Sequence, residues 1–84
     1  MPEELVGTVT HFFKGPSVAM VHLTAGELAV GDRVHIHGHT TDFTAPITSM
    51  QVNHQPVERA QADAEVAIQL SDRARPKDQV FKVS

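Results

Sequence analysis

LAVGDRVHIHGHTTDFTAPITSMQVNHQPVERAQADAEVAIQL, from Leu28 to Leu70, is a succession of short strand-like runs divided by turn residues. Arg33 to His37 alternates, with Val34 and Ile36 on one face and His35 between them. Gly31-Asp32 precedes this run, and Gly38 to Thr41 bends the chain after it. Asp42 to His54 reads as a longer strand interrupted at Pro46. Proline cannot donate to a ladder, so Pro46 marks an edge, a bulge or a corner. Gln55 to Ala64 is polar, opens on Pro56, and has room for one helical turn at most. Val66, Ile68 and Leu70 then share one face of a further strand.

The flanks continue the pattern. Leu5 to Phe13 is rich in β-branched and aromatic residues, and Val18 to Leu23 follows across the turn signal Lys14-Gly15-Pro16-Ser17. These two runs predict a hairpin. Leu28-Ala29-Val30 is a short apolar step, Ser71 to Asp78 a charged loop, and Val80 to Val83 a last strand. The sum is six to seven strands with no sustained helical period. The expected fold is all-β, a small closed antiparallel barrel occupying about residues 5–83 of one domain spanning 1–84. Its expected core is Val9, Val21, Leu23, Leu28, Val34, Ile36, Phe43, Met50, Val52, Val66, Ile68, Leu70, Val80 and Val83. A one-residue slip would expose this apolar set, so the alternation fixes the register.

Composition narrows the function. With 84 residues and no cysteine, neither a disulfide nor a thiolate metal site can reinforce a small core. The cysteine-free composition and the acidic start Met1-Pro2-Glu3-Glu4 suit a cytoplasmic protein, and no apolar run is long enough to cross a membrane. Seven Lys and Arg against ten Asp and Glu give a formal charge of −3, which argues against strong nonspecific nucleic-acid binding. Arg73, Arg75, Lys77 and Lys82 nevertheless concentrate the cations near the C-terminus, as a solvated turn or as a local anion-binding patch. Six histidines can carry the formal charge from −3 to +3, so mild acidification should cost solubility.

His35, His37 and His39 sit two residues apart, and imidazoles on one strand face can ligate zinc or nickel. Their spacing of about 6.5–7 Å is too wide for three good ligands without bending, so a solvated face is the preferred reading and no metal or cofactor is expected. No HExxH, G-x-S-x-G or Walker pattern is present, so the chain is not expected to be an enzyme or to bind GTP by itself. Asp42 suits a turn cap or a cation partner, the cap being preferred. Gly38 to Asp42 is the loop best supplied for recognition, with Thr and His for hydrogen bonds and stacking; a plain strand connection is the alternative.

Several landmarks, in order, resemble the β-barrel that follows the GTPase domain of translation factors. They are Val30-Gly31-Asp32, the strand ending at Gly38, Thr41 to Thr44, Ser49-Met50-Gln51, Pro56-Val57-Glu58 and Val66 to Leu70. Gly7 to His11, Gly38 to Thr44, Ser49 to Gln51 and Pro56 to Ala60 resemble more closely still the small stand-alone elongation factor-like barrels. They also resemble the C-terminal barrel of collagenase-like peptidase-family proteins linked to RNA hydroxylation. The likeness runs from about Val6 to Val83. It implies a Greek-key barrel like domain 2 of translation factors, and a non-catalytic module that contacts tRNA or other RNA, or a translation or RNA-modification protein. The expected contact residues are Arg33, His37, His39, Thr41, Arg73, Arg75 and Lys77. The alternative is an adaptor supplying a barrel in trans to a larger enzyme or GTPase, with a His-rich metal binder as a minor third. Two departures stand out. Ala62-Asp63-Ala64 replaces a Gly-containing turn, which Asp63 can rescue by accepting a left-handed backbone. Ala67 replaces a strand glycine on the face near the aminoacyl pocket of those factors, and its methyl narrows any equivalent pocket.

Overall fold

In a computed structural model describing residues 3–70 and 72–83, the chain is all-β. The strands are β1 (Glu3–Phe13), β2 (Val18–Leu23), β3 (Glu27–Ala29), β4 (Arg33–His37), β5 (Asp42–Pro46), β6 (Met50–Val52), β7 (Gln55–Val57), β8 (Arg59–Gln61), β9 (Glu65–Gln69) and β10 (Gln79–Val83). The described residues therefore carry ten strands, not six or seven. The shortfall has a physical cause: β3, β6, β7 and β8 are three residues long, too short for alternation to register. The polar stretch expected to hold a helical turn instead forms β7 and β8. Pro56 is admitted there because β7 is an edge strand, and Pro46 ends β5, the opposite edge.

Eight strands form one antiparallel sheet in the order β5-β4-β10-β1-β2-β9-β6-β7, and β3 pairs with β8 as a separate ribbon. Sequence neighbours make the hairpins β1–β2, β4–β5 and β6–β7, while the late strands β9 and β10 insert beside β2 and β1. This interleaving is the Greek-key character. The ribbon joins the two edges of the curled sheet. β7 runs into β8 through Glu58, whose carbonyl accepts Val30 N–H at 2.9 Å, and β3 turns into β4. Gly31 N–H and Ile47 N–H extend the β4–β5 pairing at 2.9 and 2.8 Å.

Local chemistry sets the corners. Asn53 and His54 both adopt left-handed φ (53° and 65°), as a two-residue hairpin turn between Val52 and Gln55 requires. Asp63 lies at φ 72°, so it takes the left-handed position expected of it. β1 carries register shifts between Leu5 and Gly7 and between Val9 and His11. The first places Val6 inward as well as Val9, which strict alternation from Val9 would not allow.

The core contains Val9, Val21, Leu23, Leu28, Val34, Ile36, Met50, Val66, Ile68, Leu70 and Val80, as expected, and adds Val6, Ala19, Ala45, Ile47, Ala60 and Ala74. Phe43 and Val52 are partly buried and pack against it. Val83 does not share Val80's environment: the two are three apart on one strand and so face opposite sides, with Val83 half-buried opposite Glu3 and Arg33. Among the described residues no helix is long and apolar enough to cross a membrane.

Candidate functional site

Two loops at one end of the barrel carry most of the chemistry singled out from sequence. The first, residues 38–41, leaves β4 and is closed by Gly38 N–H donating to the Thr41 carbonyl at 2.7 Å. The second, residues 72–78, precedes β10 and is pinned to β1. Val9 N–H donates to the Asp78 carbonyl at 2.8 Å, and Lys77 N–H donates to the Val9 carbonyl at 2.7 Å. Within that loop Asp78 Oδ2 accepts Arg75 N–H at 2.8 Å, and Asp78 N–H returns to the Arg75 carbonyl at 3.1 Å. Lys77 takes a left-handed φ of 78° to make the turn.

Asp78 also joins the loops. Its side chain is buried, and it rests against Gly38, where a Cβ would stand 2.6 Å from the Asp78 carboxyl carbon. Two adjoining hollows lie between the loops. One, of about 280 Å³, lies between Thr40, Thr41, Asp42 and Phe43 on one side and Asp72, Arg73 and Arg75 on the other. The second, of about 330 Å³, is lined by His39 and Thr40 facing Arg75, Pro76, Lys77 and Asp78. Thr40 and Arg75 line both.

The structure thus brings together five of the seven expected contact residues: His39, Thr41, Arg73, Arg75 and Lys77. Thr41 is only 6% exposed, so it walls the first hollow but offers little surface. His37 is exposed at the end of β4, opposite Asp42 and Gln79, beside the site rather than in either hollow. Arg33 stands apart. It begins β4, roughly 13 Å along the strand from His37 at about 3.3 Å per residue, with Pro46 and Val83 as its neighbours. Sequence alone does not show which end of this strand meets the loop before β10.

Charge around the hollows is asymmetric in its commitments. Asp78 is engaged with Arg75 N–H, and Asp72 Oδ1 accepts Arg73 N–H at 2.8 Å. Asp42 is taken by His35, whose Nε2 lies 2.5 Å from Asp42 Oδ1 while Nδ1 lies 2.9 Å from Glu3 Oε1. Among the described residues Arg73, Arg75 and Lys77 form no ion pair, and the Lys82–Asp32 pair at 3.5 Å belongs to the far end of β4. Asp42 is therefore a cation partner and not the turn cap preferred from sequence. The hydrogen bond to Glu3, then that to Asp42, raises the His35 pKa above its usual value, and the His35 hydrogen bond lowers that of Asp42. Sequence pattern marked His35 only as one of an outward-facing row. Its two carboxylate partners come from β1 and β5, 32 and 7 residues away. Among the described residues no group of three or more His, Asp and Glu is arranged to hold a metal.

A further concavity, of about 320 Å³, lies on the outer face of β2, β9 and β6, lined by Met20, Gln51, Asn53, His54, Glu65 and Ala67. Met50 is buried and Gln51 exposed, as expected of neighbours on a strand.

No family model matches the chain. By sequence it is 36% identical over 77 residues to an uncharacterised protease of Methanocaldococcus jannaschii, covering 90% of this chain and 19% of that protein. It is 28% identical over 78 residues to a collagenase of Porphyromonas gingivalis, covering 92% of this chain and 22% of the collagenase. The chain thus spans about a fifth of the length of these relatives. In structure it matches the C-terminal domain of a putative U32 peptidase of Geobacillus thermoleovorans. The TM-score is 0.88 at 19% identity, covering 96% of this chain and 93% of that one. The selenomethionine variant of the same domain gives a TM-score of 0.84, covering 92% and 96%. The shared fold is that of this peptidase C-terminal barrel. One expected resemblance is supported in part, and one expectation is corrected. Of the families resembled, the collagenase-like peptidases are the one these likenesses support, ahead of the translation factors. The expectation that the chain is not an enzyme is overturned by the relatives' names: its likeness is to proteins named protease and collagenase, in which it corresponds to a minor part of the length.

Proposed function

We propose that the chain is the barrel portion of a collagenase-like peptidase-family enzyme, acting in the same polypeptide or beside it, and that it binds RNA through the paired loops 38–42 and 72–78. The observation that carries this reading is the convergence of Arg73, Arg75, Lys77 and His39 around two adjoining hollows. Among the described residues none of Arg73, Arg75 and Lys77 is ion-paired, and Asp42 is engaged by His35, which supports their facing a ligand. Three cations beside three carboxylates, Asp42, Asp72 and Asp78, suit a few phosphate contacts rather than broad polyanion binding. His39 and the loop hydroxyls supply stacking and hydrogen bonds to an unpaired base. The link to RNA hydroxylation implied by the family resemblance names the kind of enzyme such a module would serve, in the cytoplasm where its RNA resides.

Fluorescence anisotropy with labelled tRNA tests it. Binding should weaken steeply with salt. The Arg73→Ala/Arg75→Ala variant should bind more weakly, with a log–log salt slope shallower by about 0.7 for each single-strand phosphate that is no longer neutralised. Equal affinity in the variant would count against the site. The second reading is an adaptor docking on the rest of the enzyme, favoured by the fivefold greater length of the relatives, and it predicts a salt-insensitive protein pull-down with no tRNA binding.

A further inference from the structure

His35 is held in an unusual way for an outward-facing strand histidine. Each ring nitrogen faces a carboxylate, Glu3 on β1 at 2.9 Å and Asp42 on β5 at 2.5 Å. Both nitrogens can donate only when the ring is doubly protonated. Asp42 belongs to two places at once: it is bonded to His35, and it lines the hollow that also holds Arg73 and Arg75. A carboxylate released from His35 is therefore already positioned beside the cations that would receive an anionic ligand.

We propose that His35 is a latch: doubly protonated, it keeps the Asp42 carboxylate away from Arg73 and Arg75, and neutral, it releases Asp42 to compete with phosphate for them. This rests on the RNA-binding reading for its biological ligand and deepens it by giving that site a pH dependence. A neutral imidazole donates once, so one carboxylate must give way. Asp42, with a side chain 71% exposed against 38% for Glu3, is the freer to turn. His35 is a positioning residue here, since it acts through Asp42 and lines neither hollow. The groups facing it are Glu3 from β1, Asp42 from β5, His37 from its own strand with ring centroids 5.8 Å apart, and the uncharged Phe81 from β10 at 6.1 Å. His39 lines the neighbouring hollow and is the imidazole most able to imitate the effect.

The test measures affinity for a labelled oligouridylate, and for inorganic pyrophosphate by amide shifts, at about pH 5.5 and about pH 8.5. Wild type and His39→Asn should both bind roughly two- to fivefold more weakly at the higher pH, the scale of one competing exposed ion pair. Asp42→Asn should bind at the higher pH as tightly as wild type does at the lower. His35→Gln should bind weakly at both, and His35→Gln/Asp42→Asn should recover. An Asp42→Asn variant that keeps the full wild-type pH dependence would overturn the latch. The free protein separates the two proposals: the Asp42 carboxyl carbon shift must follow the His35 titration with no ligand present. If it does while no oligouridylate binds at any pH, the RNA reading fails and the latch stands. If it does not, the latch fails whatever the RNA result.

Discussion

Gly38 lies directly on the buried carboxyl of Asp78, so the loop after β4 and the loop before β10 meet with no side chain between them. Asp78 also lines the hollow shared by His39, Arg75 and Lys77. Gly38→Ala would drive a methyl into the Asp78 carboxylate, which is held from the other side by Arg75 N–H. The expected cost is about 1–3 kcal/mol, as for overpacking elsewhere. A fall in the urea midpoint with unchanged slope would show it, together with shifted amides at 72–78 rather than across the sheet.

Asp78→Ala removes the acceptor for Arg75 N–H and frees the loop from its own turn. Arg75 is exposed and the bond part-buried, so its loss costs about 0.5–1.5 kcal/mol. Hydrogen exchange should accelerate at Arg75 and Lys77 before it accelerates at Val80. Uniform acceleration would mean that the loop is not held by this carboxylate.

Lys77 separates charge from fold. Its left-handed φ costs a non-glycine residue roughly 1–2 kcal/mol, which glycine avoids. Lys77→Gly should therefore unfold no earlier than wild type in urea while binding tRNA less tightly. A variant that is destabilised would show that the lysine stem contributes packing that outweighs the backbone strain.

The His35 cluster gives stability a pH signature of definite sign. The His35 pKa is raised above its ordinary 6.5, by the hydrogen bond to Glu3 first, so its contribution is complete below that unfolded value and fades as pH rises through the folded one. The Asp42 pKa is lowered from 3.8 by His35, so its contribution is present above 3.8 and fades as pH falls through the folded value. The cluster stabilises between these limits, modestly because it is solvent-exposed. Denaturation midpoints of wild type and His35→Gln should differ most at about pH 5.5 and converge above the His35 titration.

Much of this was legible in the residues. Alternation in Val18–Leu23 and Arg33–His37 placed those strands residue for residue, because one buried face leaves no freedom of register. Turn chemistry at 14–17 and 62–64 was equally plain. Three-residue strands were invisible, since two alternations are no pattern, and Val6 was hidden by a bulge that periodicity cannot anticipate. At the site, composition picked out both loops, but not that Asp78 and Gly38 join them or that Glu3 and Asp42 grip one histidine. Those contacts bridge strands distant in sequence, and only the fold supplies them.

The most direct measurement is an NMR titration of isotope-labelled protein with total tRNA at low and moderate salt. Shifts confined to 38–42 and 72–78, weaker at the higher salt, are the predicted result. Shifts centred instead on Met20, Gln51, Glu65 and Ala67, or none at either salt, would contradict the paired loops as the RNA-binding face.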